Sequence, residues 1–235
     1  MVWGICGRKT CWERDRNEKG AVLVEGYTEE RFVKDVLQEH FWTLNLSLTP
    51  TLLVTKTVKD GADFRGGVTT FKKFANDVRR LLQGAGDALV TTCLDYDGLP
   101  VDFPGMATRP ADKAGAHVAQ IEQAIAAHFA DPRFLPYLAF HEFEALLFAS
   151  PDELPKAMTD MSKQAQFQAI RESYPTPEDI DEVNWPSKRI VSLFRAYRKA
   201  LHGPLVAKRI GLERLRAECP HFAAWISKLE DFARQ

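Results

Sequence analysis

Two hydrophobic periods alternate along the first 150 residues of the chain. Short apolar runs rich in β-branched residues, such as AVLV at 21–24 and ALVTTCL at 88–94, are typical of strands. Between such runs, apolar residues recur every three or four positions, which predicts amphipathic helices. Strands that alternate with helices predict an α/β fold with a mostly parallel sheet and flanking helices.

This pattern divides the first 150 residues into four strands and three helices. The predicted strands are AVLVEG (21–26), TLLVTKTVK (51–59), ALVTTCL (88–94) and FLPYLAF (134–140). The predicted helices begin at residues 28, 68 and 116, with Thr28 as the first N-cap. Glu29 and Glu30 then fall in a first helical turn, where the helix dipole favours negative charge, and we expect both on the surface.

The strand pattern ends after Ser150, and the rest of the chain is helical in character. Helical segments are punctuated by Gly203-Pro204, Gly211 and Pro220. We therefore expect a charged tail at 1–19, an α/β core at 20–150 and a helical region at 151–235 packed on that core.

Composition narrows the classes of function. The net charge is −1, so charge alone gives no argument for a nucleic-acid binder. No apolar run reaches the roughly 18 residues that span a bilayer, and no signal-peptide pattern opens the chain, which predicts no membrane partner and a cytoplasmic location. Four cysteines without a CxxC pair predict reduced thiols.

Nucleotide-binding signatures are missing from the sequence. It contains neither G-x-x-x-x-G-K-[ST] nor G-x-G-x-x-G. If the protein depends on a nucleotide, we therefore expect another chain to bind it.

Carboxylates follow three of the predicted strands. Glu25 follows the first strand, Asp95 and Asp97 the third, and Glu142 and Glu144 the fourth. Because the carboxyl ends of parallel strands share one edge, these side chains are expected to converge there. Hard oxygen ligands favour Mg²⁺, Mn²⁺ or Ca²⁺, and Asp-x-Asp on an extended strand presents both carboxylates on one face.

Each acid also has a purely structural interpretation. Glu25 before Gly26 is suited to capping a turn, and Asp-x-Asp-Gly is common in turns. Glu142 and Glu144 share a face only if HEFE is extended, so the choice of ligand between them stays open. His141 is either a donor to one of these acids or a structural histidine.

Basic residues supply two candidate phosphate contacts. A helix over 188–201, capped by Ser187, places four of them on one face: Lys188, Arg195, Lys199 and His202. Arg189, next to Lys188 in the same segment, is a further candidate contact. The alternative is that these residues form an ordinary solvated face. Arg65, Gly66 and Gly67 form a loop whose backbone N–H groups and guanidinium suit a phosphate, although a plain loop fits as well.

The motifs resemble a known fold. Strand–Glu–Gly–helix followed by strand–Asp-x-Asp is similar to the Toprim fold of topoisomerases, primases and overcoming-lysogenization-defect (OLD) nucleases. More narrowly, the chain resembles a bacterial domain-of-unknown-function family with a Toprim-like core. That narrower resemblance rests on VEGYTEERFV, RGGV, LDYDGLPVDFPG, PYLAFHEFEALLF, PSKRI and YRKALHGPLVAKRIGLERLRAECPHFAAW, within about residues 21–230.

The resemblance implies a function for these residues. Glu25, Asp95 and Asp97 match the Toprim acids that hold Mg²⁺ for phosphodiester chemistry. Glu142 or Glu144 would supply the extra acid of OLD-type nucleases, and Lys188, Lys199 or Lys208 their late lysine.

We therefore expect a Mg²⁺- or Mn²⁺-dependent nuclease acting on DNA or RNA, with a separately encoded ABC-type ATPase in anti-phage defence. The alternatives are a non-catalytic module that binds nucleic acid or a partner, and a nucleotidyl transferase. The strandedness of the substrate and the oligomeric state stay open.

Overall fold

A parallel sheet with helices on both faces forms the centre of the computed structural model. The structure describes residues 18–53, 68, 70–108, 114–180 and 184–235. Within these ranges the strands are β1 (Glu18–Val24), β2 (Leu46–Leu52), β3 (Leu89–Asp95), β4 (Phe134–Leu135) and β5 (Leu138–Ala139). Their order is β2-β1-β3-β4, with β5 also paired to β3, and every pairing is parallel. The predicted fold class is confirmed.

Two hydrophobic layers cover the sheet because side chains alternate along each strand. Val22 and Val24 face one layer, and Leu23 faces the other. The first layer contains α1 (Tyr27–Phe32) and α2 (Gln38–Trp42), together with the helices that follow Ser150. The second layer contains α3 (Phe71–Gly84) and α4 (Ala114–Phe129). The sheet is therefore buried on both faces, as near-continuous apolar strands predict.

The helix after β1 starts earlier than the sequence pattern suggests. Its N-cap is Gly26 rather than Thr28, so that prediction was wrong. The helix continues from α1 through a π-helical segment (Val33–Leu37) into α2. Glu30 forms an ion pair with Lys34 at 2.6 Å, in keeping with its predicted surface position.

The second and fourth predicted strands differ from those observed. β2 begins at Leu46, five residues before the predicted start at Thr51, and residues 54–59 of the predicted strand lie outside the described ranges. Pro50 is accommodated because β2 is at the edge of the sheet in the described part of the chain. The predicted strand over 134–140 is two short strands separated at Pro136.

Only helices and turns follow Ser150 in the described part of the chain, as predicted. The helices are α5 (Glu153–Ala157), α6 (Gln164–Glu172), α7 (Pro186–Leu193), α8 (Lys199–Ile210), α9 (Leu212–Glu218) and α10 (Pro220–Ala233). Cys93 and Cys219 are buried free thiols. No helix within the described ranges is both long enough and apolar enough to cross a bilayer.

Candidate active site

The register of the sheet brings Glu25 and Asp95 to the same edge. Val24 pairs with Cys93, so Glu25 leaves β1 and Asp95 ends β3 at neighbouring positions. The Asp95 backbone N–H donates to Glu25 Oε2 over 3.4 Å. The chain also turns closely past Glu25, since a Cβ on Gly98 would lie 3.6 Å from Glu25 Oε1. The first two predicted acids therefore meet, as expected from parallel strands.

Glu29 is a third acid at this edge, and its expected surface position was wrong. Its side chain turns inward, leaving the residue 7% exposed, and Oε2 accepts the Gly26 N–H at 2.9 Å. Burial, together with the negative charges of Glu25 and Glu144, raises the pKa of Glu29 to about 7. Glu29 thus serves the helix start, as predicted, but it also adds charge to the site.

Asp95 lies in the same unfavourable environment for a negative charge. Burial, reinforced by the carboxylates of Glu29 and Glu25, raises the pKa of Asp95 well above its usual range. One oxygen is fixed, because the Phe143 N–H donates to Asp95 Oδ1 at 2.8 Å. The carboxyl group is thereby held in place while its ionised form is destabilised.

Asp97 lies just beyond the end of β3. That strand ends at Asp95, and Asp97 is in the turn that follows. Asp97 Oδ2 lies 3.1 Å from His141 Nδ1, and the two side chains are 1% and 5% exposed. Of the two roles left open for His141, the structure shows the partner of a site carboxylate.

Glu142 and Glu144 converge on one amine. Glu142 has extended backbone, and a 3₁₀ helix (Phe143–Ala149) begins immediately after it. Lys199 Nζ lies 3.2 Å from Glu142 Oε1 and 3.1 Å from Glu144 Oε2. Burial raises the pKa of Glu144, an effect that Lys199 partly opposes. Burial would lower the pKa of Lys199, but the two carboxylates outweigh it and raise that pKa.

The predicted continuous basic helix over 188–201 is wrong. α7 ends at Leu193, Phe194 is extended, and α8 begins only at Lys199. Lys188, Arg195, Lys199 and His202 therefore do not share one helix face. The predicted N-cap was wrong as well, because Trp185 is the N-cap and Pro186 the first residue of α7.

The basic residues of α7 have structural contacts. Lys188 is exposed, with Nζ 5.6 Å from the centre of the Trp185 ring. The Arg189 guanidinium donates to the Tyr174 hydroxyl at 2.6 Å. The Lys188 and Arg189 side chains therefore contact aromatic residues outside the acidic edge.

Two arginines lie in the link between α7 and α8, just before Lys199. Arg195 and Arg198 are exposed. His202 Nδ1 accepts the Arg198 N–H at 2.8 Å, and burial together with the positive charge of Arg198 lowers the pKa of His202. The other predicted phosphate loop, formed by Arg65, Gly66 and Gly67, lies outside the described residues.

Three residues that the sequence pattern did not single out for the site complete it. The Ser187 N–H and hydroxyl both donate to the Glu142 carboxylate at 2.9 Å. The Tyr197 hydroxyl donates to Glu144 Oε1 at 3.4 Å. Gly203 lets α8 approach closely, because a Cβ there would lie 3.2 Å from atoms of Phe143 and Thr28. Distant pairing of this kind leaves no local signal in the sequence.

We call the cluster formed by Glu25, Glu29, Asp95, Glu142 and Glu144 the acidic edge. Its oxygen donors have the chemistry that Mg²⁺ and Mn²⁺ prefer. Within the described ranges, no three His, Cys, Asp or Glu side chains already surround a common point as metal ligands would. The acidic edge therefore has the oxygen donors that these cations prefer, but its side chains are not already arranged around a single metal position.

Comparisons with known proteins give distant structural similarity. The C-terminal region of the Burkholderia pseudomallei OLD protein is 15% identical, with a TM-score of 0.44, over 92% of this chain and 96% of that one. The C-terminal region of the Xanthomonas campestris pv. campestris OLD protein is 15% identical, with a TM-score of 0.37, over 93% and 98% of the two chains. No curated protein matches the sequence.

A family model gives the firmer relationship. The model described as "Domain of unknown function (DUF4276)" matches residues 24–230. The match runs from the end of β1 into α10, so it includes the whole acidic edge and Lys199. The chain belongs to the DUF4276 family.

Proposed function

We propose that the protein is a metal-dependent nuclease of Toprim type, a phosphodiester hydrolase acting on DNA or RNA at the acidic edge. The observation that carries the proposal is the convergence of Glu25, Glu29, Asp95 and Glu144 around strand ends that parallel pairing brings together. Such a cluster is costly for folding alone, and perturbed titratable groups concentrate at functional sites.

The donor set suits a hard divalent cation. Mg²⁺ is commonly bound through one or two carboxylates, with water and substrate phosphates completing its octahedron. Glu25 and Asp95 supply such a pair, and Asp97 is a third ligand candidate whose carboxylate His141 orients. When bound, the cation supplies Lewis-acid chemistry: it activates water and stabilises charge on the phosphoryl oxygens.

The chain's own groups handle the substrate charge. The Lys199 side chain is 46% exposed, and its ammonium contacts Glu142 and Glu144 of the acidic edge. Arg195 and Arg198, exposed in the link before α8, are positioned in the chain to hold backbone phosphates beside it. Lys188, Arg189 and His202 are weaker candidates for phosphate contacts because each has the structural contact described above.

A non-catalytic binding module is the second candidate function. It is favoured by the contacts that satisfy three of the acids without a metal: His141 on Asp97, and Lys199 on Glu142 and Glu144. In that case the acids stabilise the fold and the exposed arginines alone bind nucleic acid or a partner. The two candidates differ in whether a divalent cation changes what the protein does.

The deciding experiment is a cleavage assay on single- and double-stranded DNA and RNA, with Mg²⁺, Mn²⁺ or EDTA. We expect divalent-dependent cleavage that Glu25→Gln and Asp95→Asn each reduce by at least about 100-fold, because both remove charge on which the cation depends. Glu30→Gln is the matched control, since Glu30 pairs with Lys34.

Two other outcomes of this assay would replace the proposal. Binding without cleavage under any divalent condition would support the module. Incorporation of labelled nucleotide would support nucleotidyl transfer.

We also propose that an ABC-type ATPase encoded on another chain controls this activity, in defence against phage. The support is the resemblance of the motifs to OLD-type nucleases. The test is the same assay with an ABC-type ATPase encoded beside this gene. Cleavage that responds to ATP only when both chains are present supports this part of the proposal, and cleavage indifferent to the ATPase contradicts it.

A further inference from the structure

Lys199 lies where a cation held jointly by Glu142 and Glu144 would have to lie. Its ammonium lies between Glu142 Oε1 and Glu144 Oε2, at 3.2 Å and 3.1 Å. The Glu144 side chain is buried at 1% exposure, and the Glu142 side chain is partly buried at 12%. Two-metal sites place their ions about 4 Å apart between shared carboxylates, so an ammonium among the same acids competes directly with a second ion.

The remaining donors to these carboxylates reinforce that competition. Glu142 Oε1 accepts hydrogen bonds from the Ser187 hydroxyl and from the Lys199 ammonium. These two bonds engage both lone pairs of that oxygen. Glu142 Oε2 receives the Ser187 N–H, and Glu144 Oε1 receives the Tyr197 hydroxyl. A metal ion at this pair would therefore have to displace the ammonium and share oxygens that already accept hydrogen bonds.

The position of Lys199 is fixed by the packing of α8. Lys199 is the first residue of that helix, and Gly203 lies one turn further along. A Cβ on Gly203 would come within 3.2 Å of Thr28 on α1 and of Phe143 beside Glu142. Close backbone approach at Gly203 thus holds the start of α8, from which the Lys199 side chain reaches the acidic edge.

We propose that Lys199 acts as a built-in second cation, so that the site takes one divalent ion, at Glu25 and Asp95, where a two-metal nuclease would take two. The inference rests on the proposed metal-dependent function and specifies its stoichiometry. A fixed ammonium would neutralise the Glu142–Glu144 pair permanently and present positive charge to a phosphate. The positive charge between Glu142 and Glu144 would then not depend on the concentration of metal.

The test is the number of Mn²⁺ ions bound per chain, measured by electron paramagnetic resonance and by calorimetry without substrate. We expect about one ion in wild type and about two in Lys199→Met, since the variant frees the Glu142–Glu144 pair. Lys208→Met is the matched control, because Lys208 is exposed on the same helix about 13 Å further along its axis. It should bind about one ion.

A second variant guards against misfolding caused by unpaired buried acids. Lys199→Met combined with Glu144→Gln removes one of those charges and should return to about one ion. Two ions in wild type, or one in a folded Lys199→Met protein, would overturn this inference while leaving the nuclease proposal standing. No Mn²⁺ binding by any variant would overturn both.

Discussion

Buried carboxylates are treated in opposite ways in two regions of the molecule. In the C-terminal helices, Glu230 is contacted by Arg216 at 2.5 Å and by His40 at 2.7 Å. Burial would raise the pKa of Glu230, but these partners outweigh it and lower the pKa. At the acidic edge, burial dominates and the pKa values of Glu29 and Asp95 are raised.

The opposite directions of these pKa shifts distinguish a carboxylate that stabilises the fold from carboxylates that are suited to binding a ligand. One carboxylate held by an arginine and a histidine stabilises a fold, whereas several carboxylates around one lysine store electrostatic repulsion. Natural proteins tolerate such local conflict chiefly at functional sites. This contrast is the main physical reason for assigning chemistry to the acidic edge rather than to Glu230.

The largest expected effect concerns the pH dependence contributed by Glu29. Its pKa rises from an ordinary value of 4.5 to about 7 in the folded protein, so the folded state binds this proton more tightly. The resulting stabilisation is complete below pH 4.5 and is lost as pH rises through 7, about 3 kcal/mol in total. In EDTA, Glu29→Gln should therefore be more stable than wild type by about 3 kcal/mol at pH 8 and similar at pH 4.

Urea denaturation at the two pH values measures this effect. Glu30→Gln serves as the control, since Glu30 is the neighbouring residue and is paired with Lys34; it should change stability by less than about 1 kcal/mol at either pH. If the stability of Glu29→Gln kept the pH dependence of wild type, Glu29 would not be an acid whose ionised form is destabilised. Glu29 would then not differ from Glu230 in this respect.

A smaller loss is expected at the structural acid. Arg216→Met removes a charged hydrogen-bond partner from Glu230 and leaves His40 in place, which should cost about 2 kcal/mol of unfolding free energy. Arg234→Met is the control, because Arg234 is 59% exposed and 3.7 Å from the same carboxylate; its effect should stay within about 0.5 kcal/mol. Equal effects in thermal denaturation would contradict the assignment of Glu230 to a structural pair.

The smallest effect probes the orientation of Asp97. His141→Leu removes the donor to Asp97 Oδ2 and should weaken Mn²⁺ binding about tenfold, as expected when a carboxylate ligand loses its orienting partner. His128→Gln is the control, since His128 is exposed and contacts Arg79. Calorimetric titration measures both variants, and unchanged affinity in His141→Leu would mean that Asp97 does not take part in metal binding.

The parallel sheet and the meeting of Glu25 with Asp95 were predictable because both follow from local patterns and one rule of sheet geometry. Apolar runs marked the strands, and parallel pairing placed their carboxyl ends together. Orientation after the strand ends was less predictable. Asp97 left the strand in a turn, and its partner His141 lies 44 residues away in the chain.

The break between α7 and α8 was not predictable from helical spacing. Phe194 and Tyr197 fit the spacing of an apolar stripe and are buried, yet they lie in the link between the two helices, where residues 195 and 196 form a turn. Leu201, the next position of the stripe, is 49% exposed. Phe194 stacks on Phe167 and Tyr197 reaches Glu144, so tertiary contacts outweigh helix continuity here.

The opposite error occurred at Gly203-Pro204, which predicts a break but lies inside α8. Pro204 is the sixth of the 12 residues of α8 and cannot donate a hydrogen bond to the Ala200 carbonyl. Gly203 allows close contact with Thr28 and Phe143. Glycine usually ends a helix, but Gly203 instead allows α8 to pack closely on other elements. The residues that it contacts, Thr28 and Phe143, are distant in the sequence.

Whether the acidic edge binds a divalent cation is decided by the change in melting temperature on adding Mn²⁺ to wild type and to Asp95→Asn. The control is Asp87→Asn, at an exposed position just before the opposite end of β3. At about 100 times the dissociation constant, bound metal should stabilise wild type and Asp87→Asn by about 2.7 kcal/mol, seen as a higher melting temperature, and leave Asp95→Asn unchanged. No rise in wild type, or an equal rise in Asp95→Asn, would contradict a divalent-cation site at the acidic edge.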